Sequence, residues 1–195
     1  MKMITEFANR ISKKMVHRGI VKEEDVELYQ YGIESGIMIT GNLMASAVFG
    51  ILTGRLGVVL VFLLFYSTLR SYSGGVHCKS KAGCFILSIL ILFIPVFSGG
   101  IMKEIFSFRV FFIVGITALV IILALSPVES PNKPLDKDEW KYYRRISQLI
   151  ASIQVCVLVF LFCWGNFPYF YAGYSSFILI ALFMFMEKIA SMHYI

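Results

Sequence analysis

Residues 56–98 read LGVVLVFLLFYSTL (56–69), RSYSGGVHCKSKAG (70–83) and CFILSILILFIPVFS (84–98). Two almost uncharged runs flank a basic, glycine-broken interruption. Each run is about 15 residues long, short against the roughly 20 that cross a typical bilayer upright. Such segments thin the bilayer, borrow flanking residues, or re-enter, and re-entry is tolerated only where protein or water covers the backbone. Working outward, further apolar segments occupy 31–53, 108–125, 146–166 and 169–187. Apolar residues make up 58% of the 195 residues, and mean hydropathy is +0.77. A soluble domain is nearer half apolar. The expected fold is an all-α integral membrane protein, one domain over 1–195, with about six transmembrane or partly re-entrant helices.

Residues 1–28 lack the apolar core and small-residue cleavage site of a signal peptide. Met3, Ile4, Phe7, Ile11, Met15 and Ile20 instead recur at helical spacing among Lys2, Arg10, Lys13, Lys14 and Arg18. That pattern predicts an amphipathic helix on the membrane surface; a soluble cap packed on other loops is the alternative. The first span carries Gly32, Gly36, Gly41, Gly50 and Gly54, with two GxxxG spacings. Small residues let helices approach closely, as a homodimer seam or within one chain.

Lys and Arg positions predict the orientation. With six spans and the N-terminus in the cytosol, fifteen of the eighteen basic residues fall inside. The exceptions are Arg55, Lys103 and Arg109. The net charge of +6 is thereby explained by topology, and no nucleic-acid partner is implied. Trp140, Tyr142 and Tyr143 suit an inner aromatic belt, and Trp164, Tyr169 and Tyr171 an outer one.

The four cysteines form no disulfide framework. Cys156 and Cys163 lie in an apolar run, where cysteine packs as a small hydrophobe. Cys78 and Cys84 fall on the expected cytosolic side, where thiols stay reduced. The 70–84 loop joins these two thiols to His77, and a histidine with a thiol is the minimum equipment for nucleophilic acyl transfer. On one continuous helix His77 and Cys84 would lie about 10 Å apart along the axis. Proton transfer needs about 3 Å or one bridging water. The chain must therefore fold back, and Gly74, Gly75 and Gly83 permit it. Cys84 opens an apolar run, near a helix N-terminus whose partial positive charge suits a reacting sulfur. Cys78 is the rival, but adjacent side chains point in different directions, which favours Cys84. Zinc held by His77, Cys78 and Cys84 matches no common spacing and has no apparent fourth ligand. Incidental interfacial residues are the remaining reading.

The segment carries more pattern than that. Arg70, Tyr72, Ser73, Gly74, Gly75, His77 and Cys84, in that spacing, closely resemble the central motif of the accessory gene regulator B (AgrB) family, bacterial membrane endopeptidases that mature quorum-sensing propeptides. The block SPVESPNKPL at 126–135 resembles that family's proline-rich loop. The resemblance covers essentially the whole chain. Cys78 departs from it, since a small non-thiol residue is common there.

The resemblance implies Cys84 as nucleophile and His77 as general base, with no cofactor. It implies a short amphipathic signal propeptide with an acidic tail as substrate, in the bacterial cell membrane. Cys84 would attack the bond before the tail, and a propeptide cysteine or serine would then close a thiolactone or lactone. Arg70, Lys79 and Lys81 would hold acidic tail residues or serve as positive-inside anchors, and Lys133 has the same two readings. Glu34, ionisable near the cytosolic end of the first span, is a functional candidate by its depth. It would orient His77 or reach out to water. Asn132, Glu129 and Asp136 stay open as a third catalytic member. Gly74 and Gly75 would supply bends and oxyanion donors. The rival class is a non-enzymatic transporter subunit or immunity protein, which would need polar or broken spans to form a pathway.

Overall fold

The computed structural model describes residues 2–75, 81–97, 108–129 and 135–192. Among them are seven α-helices and no strand. They are α1 (Lys2–His17), α2 (Val26–Leu52), α3 (Leu56–Ser73), α4 (Lys81–Ile91), α5 (Phe108–Leu125), α6 (Lys137–Cys163) and α7 (Phe167–Met192). Glu23–Leu52, Leu56–Ser73, Lys137–Cys163 and Phe167–Ala190 are long and apolar enough to cross a bilayer, and Gly83–Phe97 and Arg109–Leu125 are shorter apolar helices. The chain is an all-α membrane protein.

Helix ends depart from the apolar runs for local reasons. The second run was read as short, but α3 continues through Arg70 to Ser73, so the polar interruption begins inside the helix. At about 1.5 Å per residue its 18 residues span about 27 Å, close to the hydrocarbon thickness. The third run stays short. Helix α4 gives way at Leu92, four residues after Ser88, and a second helical stretch covers 93–97. Pro95 lacks an N–H and its ring clashes with the carbonyl of Ile91, which interrupts the helix there. Helix α6 starts at Lys137, inside the stretch read as a loop over 126–145. Asp136 Oδ1 accepts from the N–H groups of Asp138 (2.9 Å) and Glu139 (2.7 Å), and Glu139 Oε2 accepts from the Asp136 N–H (3.4 Å). This capping box satisfies otherwise orphaned donors. Lys137, Lys141, Arg144 and Arg145 are thus helical, and the Arg144 guanidinium lies 4.9 Å over the Trp140 ring.

The described residues form two compact units. One holds α1, most of α2 and most of α4. Here α1 buries Ala8 and Ser12, and α2 buries Glu34 and Ser46. Helix α4 reaches α2 through a side chain: a Cβ on Gly41 would meet the Phe85 ring at 3.9 Å.

The other unit holds the rest, with α7 against α3, α5 and α6. Its core joins Phe65 and Leu69, Ala118 and Ile122, Ala151 and Leu158, with Phe177, Ile180 and Met184 of α7. Helix α7 is the most enclosed span. Ser175 and Ser176 are buried there because each hydroxyl donates to a helix carbonyl, of Ala172 (2.9 Å) and Gly173 (2.6 Å). Outward faces are apolar instead, with Leu64, Ile113, Ile116, Leu149 and Ile153 exposed. A bilayer solvates such faces, whereas water would not.

Tight turns join α2 to α3 and α6 to α7. Gly54 (φ 64°) and Gly165 (φ 75°) take left-handed backbone angles. The following N–H groups, of Arg55 and Asn166, donate to the carbonyls of Gly50 (2.8 Å) and Leu161 (3.0 Å), closing each helix in a Schellman motif. Both turns line one cavity of about 390 Å³, with Arg55, Asn166 and Tyr169 in its wall. They therefore sit at one end of this unit, and the C-terminal end of α3 lies at the other. Arg55 Nη1 also donates to the Val96 carbonyl (2.6 Å).

Candidate active site

The motif begins on the last turn of α3. Arg70 Nη1 donates to the Gly74 carbonyl, and the Gly74 N–H donates to the Arg70 carbonyl (3.3 Å). Arg70 thus clasps the turn through both side chain and backbone. Neither tail binding nor positive-inside anchoring anticipated this contact. The chain leaves the helix at Gly74 (φ 78°) and Gly75 (φ 122°), angles that residues with a Cβ rarely adopt.

Both glycines are also demanded by neighbours. A Cβ on Gly74 would run into the Val128 carbonyl oxygen. One on Gly75 would collide with the Arg70 guanidinium and lie 3.4 Å from the Phe183 backbone. The Val128 contact is a short parallel bridge between residues 74 and 128, in which the Val128 N–H donates to the Ser73 carbonyl (2.9 Å). The structure thereby brings the two sequence blocks together: SPV, opening the 126–135 block, docks on the Gly-Gly turn that ends α3.

Other contacts hold that junction. Ser126 and Ser147 are both buried, with hydroxyl oxygens 2.6 Å apart. Tyr72 packs against Tyr143 of α6, with ring centroids 5.8 Å apart. The Ser73 hydroxyl is fully buried and has no hydrogen-bond partner among the described residues. Asp136 caps α6 through its Oδ1. Glu129 is exposed at the end of the described segment.

Cys84 lies in α4, and its side chain is exposed. Its carbonyl accepts from the Ser88 hydroxyl (2.8 Å). Glu34 is buried in α2, with Gln30 Nε2 3.5 Å from its Oε1. His77, Cys78, Lys79, Asn132 and Lys133 lie outside the described residues, as does the side chain of Lys81. The zinc reading depends on His77 and Cys78 and lies outside them too.

The fold and these two blocks define a class: a multi-span α-helical membrane protein with a glycine turn at one end of its bundle. The family model for accessory gene regulator B, AgrB, matches residues 4–187. The chain belongs to the AgrB family. Two relatives from Clostridium perfringens carry AgrB-like names. That of strain SM101 is 29% identical over 147 residues, covering 71% of this chain and 67% of the relative. That of strain 13 is 26% identical over 181 residues, covering 89% and 82%. No solved structure matches the chain. Family membership assigns the protein a role in the accessory gene regulator system.

Proposed function

We propose that this protein is a membrane cysteine endopeptidase that removes the C-terminal tail of a quorum-sensing propeptide and cyclises the remaining signal. One observation carries the reading: the chain belongs to the AgrB family and has His77 and Cys84 in the motif spacing after the Gly74–Gly75 turn.

In this reaction His77 takes the Cys84 thiol proton, and Cys84 Sγ bonds to the carbonyl carbon before the tail. The C–N bond breaks, and His77 returns the proton to the departing amine. The signal region remains as a thioester on Cys84. A propeptide thiol or hydroxyl then attacks that carbonyl, closes the ring and releases Cys84 with its proton. Water must be kept from the thioester, because hydrolysis gives a linear peptide. A thioester lies above an amide in free energy, so removal of the tail or export of product draws the reaction forward. The N-terminus and the 70–84 segment belong in the cytosol by the basic-residue count. Lys79, Lys81 and Lys133 meet the acidic tail there.

The test is to co-express a propeptide with each of two variants. Cys84→Ala is expected to abolish cleavage while membrane insertion is retained, and Cys78→Ala to leave cleavage intact. Unchanged cleavage by Cys84→Ala would sink the mechanism. Sequencing the trapped acyl-enzyme identifies the attacking thiol directly.

A further inference from the structure

The cavity between the Gly54 and Gly165 turns holds about 390 Å³, with Gly54, Arg55, Gly57, Asn166 and Tyr169 in its wall. That volume lies at the lower end of the roughly 300–1,000 Å³ of ligand clefts. Its charge has one sign. Arg55 donates to the Val96 carbonyl (2.6 Å), a neutral partner, and no carboxylate pairs with its guanidinium among the described residues. A guanidinium carries five N–H donors in a fixed fork, and that carbonyl takes one of them. No acidic side chain is among the described residues of the wall. Helices α3 and α7 both begin here, at Leu56 and Phe167, and a helix N-terminus adds partial positive charge. Arg55 supplies no side-chain cap to α3. The Tyr169 hydroxyl reaches the first turn of α3 because residue 57 is glycine: a Cβ there would lie 2.7 Å from it.

The complementary occupant is an anion with several acceptor oxygens, which the arginine fork can grip at two of them. Depth narrows the choice. Trp164, two residues before Asn166, is 72% exposed, and tryptophan at the end of an apolar span marks headgroup level. Leu60 and Leu64, further along α3, are exposed to the hydrocarbon below that level. A phospholipid matches both surroundings, with phosphate oxygens for the cavity and chains for the apolar flank of α3. A free phosphate would leave the flank unused. Charge selects among lipids. A choline headgroup brings a second cation beside Arg55, which repels it. A glycerol headgroup brings hydroxyls that suit the Asn166 amide and the Tyr169 phenol. The basic-residue count expects this end in the outer leaflet.

We propose that the cavity at the Gly54 and Gly165 turns binds the phosphate of an anionic phospholipid, held by Arg55 with Asn166 and Tyr169. Such a site is independent of the endopeptidase activity.

The experiment uses the full chain in phosphatidylcholine vesicles. The chain has two tryptophans, so Trp140→Phe leaves Trp164 as the reporter beside the cavity. Quenching of Trp164 by phosphatidylglycerol with dibrominated chains is compared with quenching by phosphatidylcholine brominated in the same way. The relative binding constant is expected to favour phosphatidylglycerol about fivefold. Arg55→Gln should bring that ratio to about one, whereas Arg109→Gln, which removes an equal charge outside the cavity wall, should preserve it. Asn166→Asp sets a carboxylate in the wall and leaves the Arg55–Val96 contact in place. It should also abolish the preference, and it keeps the test decisive if Arg55→Gln misfolds. Equal quenching by the two lipids would overturn the proposal, as would a preference that Arg109→Gln removes as fully as Arg55→Gln does. A preference lost on adding sodium phosphate, but not sodium chloride of equal ionic strength, would assign the cavity to free phosphate and overturn the choice of a lipid.

Discussion

Gly74 and Gly75 are confined by different neighbours. At Gly74 the backbone angle is left-handed and the Val128 carbonyl occupies the space of a Cβ; at Gly75 the Arg70 guanidinium does. Gly74→Ala is therefore expected to cost about 1–3 kcal/mol, read as a lowered midpoint of thermal unfolding in detergent, together with loss of propeptide processing. Gly32→Ala is the contrast. A Cβ there meets nothing within 4 Å, and relief of helix-interior glycine should stabilise α2 by about 0.5–1 kcal/mol. Destabilisation at Gly32 would instead mark that face as packed against a second copy. The bend at the glycine pair was legible from residue type. Its neighbours were not, because nothing near Gly74 in sequence points to Val128, and Arg70 was read as a tail-binding or anchoring residue rather than as a clasp on the turn.

Helix boundaries were legible where chemistry is local, provided the right signal was followed. Hydropathy put the start of the fifth span at 146, whereas α6 starts at Lys137. Asp136 and Glu139 already spell a capping box, which hydropathy ignores. Asp136→Ala removes it and is expected to cost about 0.5–2 kcal/mol. Circular dichroism and thermal melting of the purified protein measure that cost. Processing is expected to persist, the α6 cap being the contact Asp136 makes; a stable but inactive Asp136→Ala protein would instead place it in the reaction. Pro95 likewise announces the interruption after Ile91. The pairing of Gln154 with α3 had no such signal, because Gln154 stands in an apolar run among residues that face lipid.

Across the whole molecule, the turns at Gly54 and Gly165 share one end of the α7-centred unit, and the Gly74–Val128 junction lies at the other. That arrangement suits alternate crossings, with Arg55 among the few basic residues that the charge count expects outside. In a protein whose native cysteines are replaced, Asn166→Cys is expected to react with an impermeant maleimide in intact cells. Lys22→Cys should react only after permeabilisation, and the reverse pattern would overturn the orientation. Sequence alone determined the all-α membrane class, the apolar segments, the basic-residue asymmetry and the motif that marks the family. These follow from properties each residue carries wherever it sits: transfer cost, charge and helix-capping chemistry. Only the tertiary structure decided that Val128 closes on Ser73, and that Gln154 reaches Phe65 and Thr68 across 89 and 86 residues. Such contacts arise when helices pack side by side, and packing selects neighbours by shape and hydrogen-bond complementarity that no single segment contains.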